Sequence, residues 1–194
     1  MHKQIPASTP KGSSTRDRII AAARKKLIID GIDQFALREL ADSLEIKLSN
    51  LQYYFKTREA LVLYVLEEEA ERDRIIMKEL QTRSENASET FRAIVRELTM
   101  RWRGESGVLF STLGTLAIHN KEYKKLYRSI YADFYRALEE PLKNLNPSLS
   151  DAELQIRVRL LTALIDGAPM QPLIPNMQIF LERIQAEAEL IAMA

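Results

Sequence analysis

The sequence predicts an all-α protein of about nine helices, with a three-helix helix-turn-helix domain at its N-terminus and a larger helical body after it. Three observations lead there. Apolar residues recur at three- and four-residue spacing almost throughout, residues 36–58 pack two short helical patterns around a tight turn, and charge is divided unevenly along the chain. Residues 1–58 hold 11 Lys or Arg against 6 Asp or Glu, whereas residues 59–194 hold 17 against 21. A basic head on an acidic body suits a polyanion-binding domain carried by one with another task.

Composition narrows the possibilities. At 194 residues with 46% hydrophobic content, the chain can bury one compact core or two small ones. It has no Cys, so disulfides and thiolate metal sites are excluded and a reducing, cytoplasmic setting is expected. No apolar run reaches membrane-spanning length, so no membrane partner is expected. No phosphate loop, nucleophile elbow or His-Glu-x-x-His motif occurs, and His2 and His119 stand far apart, so neither an enzyme nor a metal or cofactor site is expected.

Residues 1–14, rich in Ser, Pro, Lys and Thr, read as a disordered arm. Ser14 with Asp17 forms a capping box for a first helix whose apolar face is Ile19, Ile20, Ala23 and Leu27, ended by Gly31. In the next segment, ALRELADSLEIKLSNLQYYFKTR, Leu37, Leu40, Ala41, Leu44, Ile46, Leu51 and Tyr54 or Phe55 face inward. Lys47, Leu48, Ser49, Gln52, Tyr53 and Lys56 are left facing outward. Such a set suits a recognition helix in the DNA major groove: amides and hydroxyls read base edges, Leu48 meets a thymine methyl, and Lys or Tyr holds phosphate.

The run from Arg16 to Leu66 resembles the N-terminal domain of the TetR family of bacterial transcriptional regulators. The matching pieces are RDRIIAAARKKLIIDGI, LRELADSL and SNLQYYFKTREAL, the last closing on an aromatic cluster, a basic residue and a Glu-x-Leu that opens the fourth helix. The resemblance implies double-stranded operator DNA as partner, with Arg38, Lys47, Leu48, Ser49, Asn50, Gln52, Tyr53, Lys56 and Arg58 at the interface. Three positions depart from the family pattern. Ala36 replaces a helix-capping Thr, removing about 1 kcal/mol; Glu45 replaces a turn Gly; and Gln52 replaces a phosphate-binding Tyr and is placed to read adenine.

Domain limits are set at 15–60 for the helix-turn-helix domain and 61–194 for an effector-binding and dimerisation domain. An uninterrupted helix is expected from Glu59 to about Thr82. Next come a helix carrying Phe91, Val95, Leu98 and Trp102, a break at residues 104–107, and a short helix over Val108–Ile118. Another carries Tyr123, Tyr127, Ile130, Phe134 and Leu138 up to Pro141. The polar tips among these aromatics nominate Trp102, Phe110, His119, Tyr123, Tyr127, Phe134 and Asp166 as an effector pocket. Such walls suit a planar apolar molecule or an organic cation, with Asp166 or Glu97 favouring the cation.

Ser150 and Glu153 form a second capping box. The helix they open has two apolar stripes, one with Leu154, Val158, Leu161 and Ile165, the other with Ile156, Leu160, Ala163 and Gly167, and so needs a second partner. A final helix after Pro175 carries Met177, Phe180, Leu181, Ile184, Ala188 and Ile191. By resemblance, these two helices imply a homodimer through Leu160, Leu164, Phe180 and Ile184. The function expected is a sequence-specific DNA-binding regulator, a repressor released from its operator by a small-molecule effector. The alternatives are control by a protein partner and a helical ligand-binding protein without DNA function.

Overall fold

The computed structural model describes residues 10–83, 86–171 and 173–193. Among these it holds nine α-helices, one 3-10 turn and no strand. The helices are α1 (Pro10–Ile29), α2 (Leu37–Ser43), α3 (Leu48–Tyr54), α4 (Arg58–Arg83), α5 (Ala87–Trp102), α6 (Glu105–His119), α7 (Lys121–Leu145), α8 (Asp151–Gly167) and α9 (Met177–Met193). The all-helical expectation holds. The chain divides into two compact units between Glu68 and Glu69, inside α4, rather than at residue 60.

In the first unit α1 begins at Pro10, so Ser14 is inside the helix instead of capping it and residues 10–14 are not part of an arm. Residues 1–9, with His2 and Lys3, lie outside the described residues. The expected face of α1 is the core: Ile19, Ile20, Ala23 and Leu27 are buried, as are Phe35, Leu40, Ala41 and Leu51 of the same unit. Gly31 follows α1 at φ 77°, a left-handed conformation that costs a non-glycine residue about 1 kcal/mol. Lys26 reaches both Asp30 and Glu39 at 2.9 Å and ties α1 to α2.

The second unit packs α5 to α9 and the rest of α4. Phe91, Ile94, Val95, Leu98 and Trp102 of α5 are buried, as are Ile130, Phe134, Leu138 and Leu142 of α7. The break at 104–107 becomes a short junction, with Gly104 as N-cap of α6. Gly107 is required by packing, because a Cβ there would lie 1.7 Å from the Trp102 carbonyl oxygen. Pro141 does not end its helix; α7 runs through it to Leu145. Proline has no N–H to give the carbonyl four residues earlier. That carbonyl, on Ala137, instead accepts the Gln81 side-chain amide at 3.1 Å, so the helix continues with its orphaned acceptor satisfied.

The Ser150 cap is present, its hydroxyl accepting the Glu153 amide at 3.2 Å. Of the two stripes of α8, Leu154, Val158, Leu161 and Ile165 are buried while Ile156 and Leu160 are 54% and 52% exposed. The fold therefore uses one stripe and leaves the other to solvent. Asn176, directly after Pro175, caps α9, its side-chain oxygen accepting the Ile179 amide at 3.1 Å.

Candidate functional site

Two places carry the candidate chemistry, one in each unit. In the first, α2 and α3 are joined by a tight turn in which Glu45 has φ 56°. The turn keeps its geometry although Glu replaces glycine, because the Glu45 and Ile46 amides bond back to the Asp42 and Ala41 carbonyls. Arg18 adds a side-chain bond to the Leu44 carbonyl at 3.3 Å. Ala36 makes no side-chain cap, as its residue type dictates.

With Leu51 and Phe55 buried, α3 presents its remaining face outward. Ser49, Asn50, Gln52 and Tyr53 are exposed, as are Lys47 before the helix, Lys56 after it and Arg38 on α2; Leu48 is half-buried. Lys47, Lys56 and Arg38 form no ion pair among the described residues. The arrangement is a short helix with amide, hydroxyl and phenol groups along its outer side and cations at its flanks. It can offer donors and acceptors to base edges and positive charge to phosphates.

Arg58 departs from the expectation. Its Nε donates to the Phe35 carbonyl at 2.7 Å and its Nη2 to the Ile32 carbonyl, so the guanidinium fastens the α1–α2 loop to the start of α4 and is turned away from the outer face. Thr57 caps that start, its hydroxyl accepting the Ala60 amide at 3.1 Å. Arg16 stacks on Tyr64, 4.3 Å from the ring centroid, and so belongs to the packing of the head.

The second place is the aromatic cluster of the body. Trp102 lies 5.4 Å from Phe110 and 5.2 Å from Phe134 between ring centroids, and Tyr127 lies 4.5 Å from Tyr131. Tyr131, which the sequence reading missed, donates its hydroxyl to Asp166 Oδ2 at 2.7 Å. Its place four residues after Tyr127 was the available signal. Asp166 Oδ1 and Trp102 Nε1 are buried without a hydrogen-bond partner. Burial pushes the Asp166 carboxyl up to about 6, only partly offset by the Tyr131 bond.

The cavity beside Asp166, lined by Leu98, Trp102, Phe134, Leu138, Thr162 and Ile165, measures about 10 Å³. That is room for roughly one water. Of the expected pocket residues, Trp102, Phe134 and Asp166 meet at this small space, while Phe110 and Tyr127 are half-buried beside it. His119 is exposed at the end of α6, and neither Tyr123 nor Glu97 lines the cavity.

A buried ionic group adjoins the cluster. Glu69 and Asp73 of α4 are both 1% exposed. Arg101 holds Asp73, and Ser106 at the start of α6 donates to Glu69. Burial, opposed by Arg101, pushes Asp73 up to about 6; the Trp102 indole faces the same carboxylate without completing a hydrogen bond. Among the described residues no group of His, Asp and Glu is placed to hold a metal ion, and no helix is long and apolar enough to cross a membrane.

No family model matches the chain. Among curated proteins, an uncharacterized HTH-type transcriptional regulator of Xanthobacter autotrophicus is 25% identical over 166 residues, spanning 84% of this chain and 81% of that one. Among solved structures, a TetR transcription regulator from Haloarcula marismortui matches with a TM-score of 0.78 at 17% identity, over 93% of this chain and 97% of that chain. A putative transcriptional regulator from Saccharomonospora viridis, crystallised in complex with choline, matches with a TM-score of 0.74 at 18% identity, over 91% and 94%. Over nearly its whole length, and with a helix-turn-helix near its N-terminus, the chain has a fold similar to that of TetR-type transcriptional regulators.

Proposed function

We propose that the protein is a homodimeric, sequence-specific DNA-binding regulator that represses transcription until a small-molecule effector binds its helical body. The observation that carries the DNA-binding half is the outer face of α3, where Ser49, Asn50, Gln52 and Tyr53 are exposed between Lys47 and Lys56 while Leu51 is fully buried. Polar groups read bases and flanking cations bind phosphates, so the one short helix supplies both sequence choice and salt-dependent affinity. A two-fold operator then requires two heads, and the apolar stripe of Ile156 and Leu160 on α8 supports pairing of two chains.

The effector half rests on Asp166. A carboxylate with one oxygen lacking a partner, among Trp102, Tyr131 and Phe134, suits an organic cation, which aromatic faces and a buried anion both favour. The choline bound by the Saccharomonospora viridis neighbour is a ligand of that chemistry. With so little space beside Asp166, a bound cation must part Trp102 from Phe134. It would therefore bind a rearranged body better than the packed one, and that difference in affinity bounds how far it can shift the DNA-binding equilibrium.

The test is electrophoretic retardation of genomic fragments at low salt, followed by titration with choline and larger quaternary ammonium ions. Retarded fragments that are lost steeply with salt and released by a cation are expected. No retardation at low salt overturns the DNA-binding reading, and release that is unchanged by Asp166→Asn overturns the assignment of the effector site.

A further inference from the structure

Phe134 of α7 stands between two spaces. On one side is the small cavity beside Asp166, which it shares with Trp102 and Leu138. On the other is an open groove of about 460 Å³ between α4 and α7, where it lies with Met77, Lys78, Gln81 and Ala137. Among the described residues, Phe134 alone lines both. Its ring is 4% exposed and packs on Trp102 and Phe110, at 5.2 and 6.0 Å between centroids, so it closes the inner space against the outer one.

We propose that the α4–α7 groove is the route by which a ligand reaches Asp166, and that Phe134 is its gate. The inference rests on the reading of Asp166 as the effector site. A space with room for about one water has to open before a ligand enters. Turning the Phe134 side chain joins it to a groove that is already of small-molecule size.

The turn of α7 that carries the gate is held from α4 on both sides of Phe134. Asp133 accepts Arg74 at 3.0 Å and also pairs with Arg136. The Ala137 carbonyl, which Pro141 leaves without an amide, depends on the Gln81 side chain at 3.1 Å. Both bridges are single side chains reaching across the groove, and a small shift of α4 or α7 breaks them. The gate therefore sits where α7 lacks one of its own backbone bonds and leans on a neighbour instead.

The test is stopped-flow fluorescence of Trp102, the chain's one tryptophan, on mixing the intact protein with benzyltrimethylammonium. A saturable change that Asp166→Asn abolishes is expected. The chain has no cysteine, so Lys78→Cys, on the exposed rim of the groove, can be capped there alone with N-cyclohexylmaleimide. Capping should slow association and dissociation together by about tenfold relative to the uncapped variant, because a blocked route changes rates and not end states. Capped Met100→Cys, on exposed α5 surface outside both spaces, should match its uncapped form. Phe134→Leu should raise the association rate several-fold, whereas a lost ligand contact would raise only the dissociation rate. Thermal melts should show each variant folded. If Asp166→Asn abolishes the signal but capping at position 78 leaves the rates alone, the route is overturned and the site stands. If Phe134→Leu leaves the association rate alone, the gate is overturned. No saturable signal at all overturns both the route and the site.

Discussion

Tyr131 of α7 donates its hydroxyl to Asp166 of α8 at 2.7 Å, yet this bond does not make up for the burial of the carboxylate. Asp166 titrates near 6 in the folded chain against an ordinary value of 3.8. Between those values the folded state holds a proton that the unfolded state has released. The stability associated with this group is therefore fully present below about pH 4 and is lost as pH rises through 6. Asp166→Asn keeps an acceptor for Tyr131 and removes the buried charge. Urea unfolding should show the variant more stable by about 1–2 kcal/mol at about pH 7.5, a figure discounted for partial exposure, and nearly unchanged at about pH 4. A destabilised variant at the higher pH would show that the charge is compensated. Stability gained by losing a carboxylate is what a binding group held at a cost should show.

Lys56 and Arg58 are near neighbours in sequence and should fail differently. Lys56→Ala, which removes an exposed and unpaired cation, should weaken binding to all duplexes and lower the salt slope by about one while leaving the melting temperature alone. Arg58→Ala removes two charge-assisted bonds to the Phe35 and Ile32 carbonyls and should destabilise the head by about 2 kcal/mol. Gel shifts at several salt concentrations, paired with thermal melts, separate the two. A change in salt slope without a change in melting temperature for Arg58→Ala would place it on the DNA after all.

That contrast marks where sequence reading succeeds and where it stops. The periodicity that made Leu27, Leu51 and Phe91 inward-facing is a local property, and all three are buried. The double stripe of α8 was equally legible, since residue spacing alone puts positions 158 and 160 on different faces, and Val158 is buried where Leu160 is exposed. The direction of Arg58 was not legible, because it depends on the Ile32 and Phe35 carbonyls far back in the chain. Pro141 misled for the same reason: its cost is met by Gln81 of α4, and no local rule anticipates that. The effector cluster was half legible. Its aromatics follow helical spacing, but whether they enclose space or fill it is decided by packing among α5, α6, α7 and α8.

Glu45 offers a simple gain. At φ 56° it occupies a conformation in which glycine carries no Cβ penalty, so Glu45→Gly should stabilise the head by up to about 1 kcal/mol, less the greater freedom of glycine in the unfolded chain. Thermal melts settle the sign. A loss would mean that the Glu45 side chain contributes an interaction exceeding its backbone cost.

The pair of Arg101 and Asp73 should be intolerant of being split. Arg101→Met leaves Asp73, 1% exposed, without a cation beside Glu69, which keeps Arg72 at 3.2 Å, and should cost about 3–5 kcal/mol. Asp73→Asn in the same background should recover part of it, because the stranded charge is gone. Chemical unfolding of both variants decides this, and additive losses would show that the residues do not interact energetically.

Dimerisation can be tested at two positions that the sequence treated alike and the structure separates. Leu160 is 52% exposed beside Ile156, whereas Ile184 is 8% exposed and belongs to the core of its own chain. Phe180 and Leu164 are half-buried and fall between these extremes. Leu160→Glu should leave the fold intact and dissociate the dimer, since two carboxylates would enter an apolar interface unpaired, raising the dissociation constant by roughly a thousandfold or more. Ile184→Glu should unfold the chain instead, because the charge is buried before any partner arrives. Light scattering at micromolar concentration, with circular dichroism as the check on folding, distinguishes the outcomes. A monomer from the unmodified protein would leave the Ile156 and Leu160 stripe without a self-partner, and would remove paired half-site recognition along with it.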